Sequence, residues 1–351
     1  MIRRRKTRKV RIGNVEVGGG APISIQSMTK TDTRAVDSTL NEIRKLKKAG
    51  CEIVRVAVRD KESVTALKRI AERSSLPVVA DIHFLPQLAL GAMDAGVSAI
   101  RLNPGNIKSQ RDVEAIVKRA KECRIPVRIG VNSGSLSANV GTVADSMVKS
   151  AMDYVKIFEG LRFHDIIISL KSSDVAETIT AYKKMADLRD YPLHLGITAA
   201  GPYLSSAVKS SIGIGTLLQD GIGDTIRVSL TGDPLHEVEL GKEILSSLRL
   251  RSFGPEIISC PMCGRCEIDL MAVVEGLKDR LKELKLDSLN APLKIAIMGC
   301  VVNGPGEAKD ADVGIAGGKD SGILFKRGRK IKALKQEEFI EALVEEIKGL
   351  K

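Results

Sequence analysis

Short apolar runs alternate through the first two-thirds of the chain with segments whose apolar residues recur every three or four positions. The runs are Ile23–Met28, Ile53–Val58, Val78–Phe84, Ala99–Asn103, Val127–Asn132, Ile166–Lys171, Leu193–Thr198 and Thr225–Leu230. Several are nearly continuous in apolar, β-branched residues, as strands covered on both faces require. Between them lie helical patterns such as Leu40, Ile43, Leu46 and Ala49, with Gly50 as the expected C-cap. Strand starts are roughly 20–40 residues apart, which suits right-handed βα units. Eight such units predict an α/β fold built on a (β/α)8 TIM barrel. A doubly wound sheet is disfavoured because no GxGxxG follows the first strand; Gly18-Gly19-Gly20 precedes it and reads as a hairpin or loop.

The texture changes after Arg251-Ser252-Phe253-Gly254-Pro255. A cysteine cluster comes first, then an amphipathic helix over 267–285 with Leu270, Val273, Val274, Leu277, Leu281 and Leu284 as its stripe. A strand is expected at Leu293–Met298 and a last helix at 337–347. The boundary falls near 252–256, giving a barrel over 1–254 and a smaller α/β domain that carries the cysteine cluster over 255–351.

Composition narrows the class. With 43% hydrophobic and 28% charged residues among 351, the chain is globular rather than disordered. Its apolar runs, such as Ile166–Leu170, are too short to span a bilayer, and no signal-type apolar segment follows the basic start, so a cytoplasmic location is expected. The formal charge is +12, but Arg3, Arg4, Arg5, Lys6, Arg8, Lys9 and Arg11 carry seven of those charges and leave +5 on residues 12–351. That start reads as a solvated terminus rather than a nucleic-acid arm. Aromatic residues are 3% and Trp is absent, so a base-stacking surface is not expected.

Polar residues sit where a barrel of this class builds its active site, towards the strand C-termini. In chain order these are Arg55, Asp81, His83, Arg101, Asn103, Arg128, Asn132, Lys171, Ser173, His194, Thr198, Arg227 and Ser229. Taken singly, an arginine here is a rim residue and either histidine a hydrogen-bonded structural one. Together, four arginines and a lysine converging on one mouth would be costly without anions. A ligand bearing more than one phosphoryl group resolves the cost, because guanidinium forms paired charge-assisted bonds to phosphate.

Cys260-Pro-Met-Cys263-Gly-Arg-Cys266 overlaps two C-x2-C turns, and Cys300 ends the later apolar strand. A structural zinc site lacks a partner for Cys300 here. Short C-x2-C turns plus a distant thiolate suit an iron–sulfur cluster. The ligands are then Cys260, Cys263, Cys266 and Cys300, or Glu307 in place of Cys266, a harder donor for an iron that opens to substrate. The residues alone do not choose between these sets. Cys51 and Cys123 read as small buried apolar residues.

These segments resemble the family of bacterial 4-hydroxy-3-methylbut-2-en-1-yl diphosphate synthases. The likeness is carried by Ala21–Met28, Ile53–Val56, Val79–Phe84, Arg101–Asn106, Arg128–Asn132, Lys171–Asp174, His194–Thr198, Gly221–Ser229 and Gly299–Glu307, in order along nearly the whole chain. The resemblance implies a TIM barrel joined to a domain holding a [4Fe-4S] cluster on Cys260, Cys263, Cys300 and Glu307, with Cys266 outside the ligand set. It implies diphosphate contacts at Arg55, Arg101, Arg128, Asn132, Lys171, Arg227 and Ser229. It further implies flavodoxin or ferredoxin as electron donor, and a homodimer in which one subunit's cluster domain caps the other's barrel. Neither a membrane nor nucleic acid is expected as a partner. The family commonly has Thr-Glu where this chain has Thr198-Ala199, so Asp81, with His83 nearby, becomes the expected acid–base carboxylate beside Glu307. Two rival readings are a cluster-free pterin-type barrel transferase, which leaves 256–351 without a role, and a nucleic-acid binder with a structural metal.

Overall fold

A computed structural model describes residues 2–107, 109–136, 140–284, 293–300, 306, 309–319 and 321–350. The chain forms two compact units, Met1–Arg251 and Ser252–Lys351. In the first, a hairpin of β1 (Lys9–Ile12) and β2 (Val15–Gly18) precedes eight parallel strands. These are β3 (Ser24–Met28), β4 (Ile53–Val58), β5 (Val78–Ile82), β6 (Ala99–Leu102), β7 (Val127–Asn132), β8 (Ile166–Lys171), β9 (His194–Leu195) and β10 (Thr225–Ile226). Their order is β8-β7-β6-β5-β4-β3-β10-β9, and a bridge between Ile168 and Leu193 brings β8 back towards β9 to close the ring. The connecting helices are α1 (Val36–Ala49), α2 (Lys61–Arg73), α3 (Pro86–Asp94), α4 (Gln110–Cys123), α5 (Val143–Gly160), α6 (Val175–Leu188), α7 (Tyr203–Gln219) and α8 (Leu235–Ser247). This is the expected eight-unit barrel.

Local chemistry explains the element ends. Gly50 terminates α1 at φ 103°, a left-handed conformation that favours glycine. The Asp60 carboxylate accepts from the Ser63 amide to start α2, and Thr142 with Asp145 forms a capping box on α5. β9 and β10 are two residues long rather than the six expected of each. Beyond them the chain keeps single bonds, from Arg227 N–H to Leu195 C=O and from Thr198 N–H to Ser172 C=O. At Gly196 a Cβ would come 2.5 Å from the Arg227 carbonyl oxygen and 2.6 Å from Lys171 Nζ. Strand regularity there yields to space for the lysine.

The basic start is solvated only in part: Arg3, Lys6, Arg8, Lys9 and Arg11 are exposed, while Arg4 and Arg5 are half-buried. Arg5 donates to the Ala186, Arg189 and Tyr191 carbonyls at 2.6–3.0 Å. Arg4 reaches the Ala21 carbonyl and pairs with Asp224 at 3.2 Å, while Arg8 pairs with Asp190 and lies over the Tyr191 ring. The hairpin follows: Val10, Ile12 and Val17 pack on Ile53, Val79, Ala99 and Ile167 near the strand starts. It plugs the barrel's N-terminal end. The sequence reading missed this because a charge run says nothing of the carbonyls available to it.

The second unit is a five-stranded sheet of β11 (Glu256–Ser259), β12 (Lys294–Met298), β13 (Val313–Gly318), β14 (Ser321–Lys326) and β15 (Arg329–Leu334) in that order. The first three strands are parallel and the last two pairings antiparallel. Helices α9 (Leu270–Glu283) and α10 (Phe339–Lys348) cover one face, where Leu270, Val273, Leu277 and Leu281 meet Ile295, Ile297, Phe339 and Leu343. The predicted α9 stripe is the one buried, with Leu284 packed at its edge.

Candidate functional site

Parallel register places Asp81 opposite Arg101 and Arg101 opposite Arg128, one layer across β5, β6 and β7. Asn132 lies opposite Lys171 at the ends of β7 and β8. Arg128 is only the second residue of β7, so the site runs down into the barrel rather than sitting on its rim. Glycine clears the way: a Cβ at Gly130 would come 2.4 Å from Arg101 Nε. The Arg101 guanidinium instead donates to the Gly130 carbonyl at 2.7 Å and to Asp81 at 3.3 Å. Arg55 completes the group, 3.5 Å from the other Asp81 oxygen.

A second acid stands across the mouth. Glu237 on α8 is fully buried and takes two bonds from Arg227, at 2.8 and 3.1 Å. It also accepts from the Ser27 hydroxyl at 2.9 Å and lies 3.5 Å from Lys30 Nζ. The remaining Arg227 nitrogen donates to Ser229 at 2.8 Å. Sequence reasoning missed Glu237; the available signal was a carboxylate in the apolar stripe of Glu237, Val238, Gly241, Ile244 and Leu245.

Among the described residues, two cations of the mouth have no acid of their own. Arg128 donates one nitrogen to Gln26 at 3.0 Å, while its buried Nη2 meets no partner among the described residues. Lys171 is 3.3 Å from His194 Nε2. The structure thus brings together Arg55, Arg101, Arg128, Lys171 and Arg227, with Asp81 and Glu237 as their buried acids. Burial lowers the basicity of Lys171 well below the usual lysine range, and Arg55, Arg227, Arg128 and Arg101 lower it further. Arg128 is depressed by burial and then by Arg55.

Burial pushes the Asp81 carboxyl up, but Arg55, Arg101 and Arg128 outweigh it and hold it at about 2. A carboxylate held there cannot be a proton donor near neutrality; it balances guanidinium charge. His83 follows β5 half-buried beside the exposed Phe84, and Asn132 and Ser229 are half-buried at the mouth. Ala199 is exposed and left-handed at φ 48°, with a methyl where the resembled family has a carboxylate. Glu307 lies outside the described residues.

In the second unit Cys260 follows β11 and Cys300 follows β12, at the same end of adjacent parallel strands. Cys260 Sγ accepts the Gly299 N–H at 3.2 Å. A Cβ at Gly299 would lie 2.4 Å from Cys266 Sγ and 3.4 Å from Cys260 Sγ, so this glycine makes room for both sulfurs. Met262 takes a left-handed φ of 51° within the Cys260–Cys263 turn, and Cys266 N–H closes the next turn on the Cys263 carbonyl. Arg265 bonds Cys263, lowering that exposed thiol, and feels the charge of Cys300. Among the described residues no three donors already stand in ligating positions. Four soft thiols at one sheet end beside a cation nevertheless fit an iron–sulfur cluster in donor type.

Fold and site together define a TIM-barrel enzyme with a cation-rich mouth and a second, cysteine-bearing sheet unit. Residues 7–242 match the family model described as GcpE TIM-barrel domain, and 256–349 match the GcpE protein C-terminal domain. The chain is 51% identical over 352 residues to the 4-hydroxy-3-methylbut-2-en-1-yl diphosphate synthase (flavodoxin) of Clostridium tetani, covering 99% of each chain. It is 52% identical over 354 residues to the same-named protein of Clostridium perfringens, covering 99% of this chain and 100% of that one. The chain belongs to the GcpE family of 4-hydroxy-3-methylbut-2-en-1-yl diphosphate synthases. Among solved structures, dihydropteroate synthase of Yersinia pestis aligns with a TM-score of 0.51 at 11% identity, covering 69% of this chain and 98% of that one. That likeness shows the shared barrel fold alone. No helix of the described residues is long and apolar enough to cross a membrane.

Proposed function

We propose that the chain catalyses reductive ring opening and dehydration of 2-C-methyl-D-erythritol 2,4-cyclodiphosphate to (E)-4-hydroxy-3-methylbut-2-enyl diphosphate in isoprenoid biosynthesis. The carrying observation is the surplus of buried cations over acids at the mouth, which calls for a polyanionic ligand. Arg128 Nη2, buried and without a partner among the described residues, is available to such an anion, and Arg55, Arg101, Lys171, Arg227, Asn132 and Ser229 complete the diphosphate contacts. Asp81 and Glu237 hold the guanidinium groups in place before the ligand arrives. Opening the ring frees a phosphoryl group whose second ionisation lies near pH 6, so the ligand goes from about −2 to about −3. The same cations stabilise the more charged product, and with it the charge that develops as the ring opens.

Cys260, Cys263 and Cys300, with Glu307, would hold a [4Fe-4S] cluster. When bound, that cluster supplies single electrons and a Lewis-acid iron. Arg265 beside Cys263 and Cys300 offsets thiolate charge. Flavodoxin, as in the names of the relatives, or ferredoxin is the donor, a homodimer the working form, and the cytoplasm the location.

Anaerobic reconstitution followed by assay of the cyclodiphosphate with dithionite and a viologen tests the reading. Turnover is expected with about four irons and four sulfides per chain. Cys300→Ser is expected to lose both the visible absorbance and the turnover. Stoichiometric zinc without sulfide, or turnover surviving in Cys300→Ser, would overturn the redox reading.

A further inference from the structure

Lys171 is the buried mouth cation that can give up its proton, since guanidinium stays protonated in proteins and Lys30 is partly exposed beside Glu237. It is 6% exposed, and among the described residues the side chain its amine bonds is a ring nitrogen, His194 Nε2 at 3.3 Å. Gly196 gives the amine its lane, with 2.6 Å to a Cβ placed there. Tyr182 clamps the surroundings, taking the Leu170 N–H at 3.0 Å and donating to the His194 carbonyl at 2.5 Å. The buried His194 Nδ1 has no partner among the described residues. The pair keeps its bond in either state. An ammonium donates to Nε2, whereas an amine accepts from an Nε2–H.

The charges around the pair come from every wall of the mouth. Arg55, Asp81, His83, Arg101 and Arg128 stand on or just after β4 to β7, Arg227 just after β10, Glu237 on α8 and Lys30 beside it, with the Tyr182 hydroxyl from α6. The four arginines and Lys30 less Asp81 and Glu237 give a net charge of about +3 before Lys171 is counted, enough to hold a cyclic diphosphate dianion. A proton on Lys171 adds one charge as the ligand's own charge rises by one on ring opening.

We propose that Lys171 and His194 form a proton-loading pair that rests without the Lys171 charge and takes up one proton when a diphosphate enters the mouth. Burial and the four arginines disfavour that charge in the empty barrel; the ligand's anions reverse the balance. One proton is also what the reaction consumes. The dianionic ring, two electrons and one proton balance against the trianionic diphosphate and one water. The electrons come from the flavodoxin- or ferredoxin-class donor. The C–O bond of the ring breaks, and hydroxide leaves with the proton as water. A loaded pair thus brings in with the substrate the proton that a side chain at Ala199 does not supply.

The proposal rests on the diphosphate-site reading, and the test separates the two. Calorimetric titration of the cluster-loaded full chain with the cyclodiphosphate, without reductant and near pH 8, is run in two buffers of different ionisation heat. Uptake of about one proton per site is expected in the parent chain. Lys171→Arg, permanently charged, is expected to bind with uptake near zero. Binding without uptake in the parent chain would overturn the loading pair and leave the diphosphate site standing. Unchanged uptake in Lys171→Arg would move the proton off Lys171 and also overturn it. Failure of the parent chain to bind would overturn both readings.

Discussion

The two ends of the barrel are both rich in arginine and use it in opposite ways. At the N-terminal end, Arg4, Arg5 and Arg8 finish on main-chain carbonyls and on Asp224 and Asp190, and the hairpin seals the opening. At the other end, four arginines gather around Asp81 and Glu237 with Lys171 beside them, and Arg128 Nη2 is left without a partner among the described residues. In the first, the ends of the guanidinium groups reach acceptors of the chain, although Arg4 Nε and Arg5 Nε are buried without one among the described residues, and the arrangement stabilises the fold. The second carries more positive charge than its two acids balance and calls for an anion. Residue type is the same at both ends; what separates them is how far the chain itself supplies the acceptors.

This contrast is open to direct attack by mutation. Arg128→Met is expected to lower kcat/KM by about 1000-fold, about 4 kcal/mol for two charge-assisted bonds. Its unfolding temperature should hold or rise, because an unpaired buried charge is gone. A fall in stability alongside unchanged kinetics would reverse the assignment of the two ends. Glu237→Gln removes the buried negative charge that pairs with Arg227 and Lys30 and accepts from Ser27, and denaturant titration should show a loss of about 3 kcal/mol. Arg5→Met at the sealed end should cost about 2 kcal/mol of stability, while folded enzyme keeps its kcat and KM.

Smaller effects follow from single groups. The Asp81 carboxyl is held at about 2 in the fold, against an ordinary 3.8. Its share of stability is therefore full above about pH 4 and is lost as the pH falls towards 2, an amount of about 2 kcal/mol. Acid unfolding followed over that window should steepen accordingly. Ala199→Gly relieves a left-handed alanine at φ 48° and should raise stability by about 1 kcal/mol.

Much of this was legible in the sequence because it is carried by patterns the chain must repeat. Eight apolar runs with helical stretches between them force a barrel, and polar residues interrupting those runs at Arg55, Asp81, Arg101, Arg128 and Lys171 mark its mouth. Depth was not legible: Arg128 lies low in β7, and only the parallel register shows it level with Arg101 and Asp81. Glu237 escaped because it belongs to a helix behind the strands. Gly130 and Gly196 escaped because their value lies in the side chain they admit from a neighbouring strand. The basic start was only partly legible because its carbonyl partners, such as those of Ala186 and Tyr191, lie more than 180 positions away along the chain.

The central claim is that the mouth's surplus positive charge is held for a diphosphate. Thermal unfolding of the full chain with inorganic pyrophosphate, against sulfate at matched ionic strength, tests it most directly. Ligand at about 100 times its Kd adds about 2.7 kcal/mol, so pyrophosphate should raise the unfolding temperature by several degrees in the parent chain and little in Arg128→Met. Equal shifts with pyrophosphate and sulfate, or the same pyrophosphate shift in both proteins, would contradict the account.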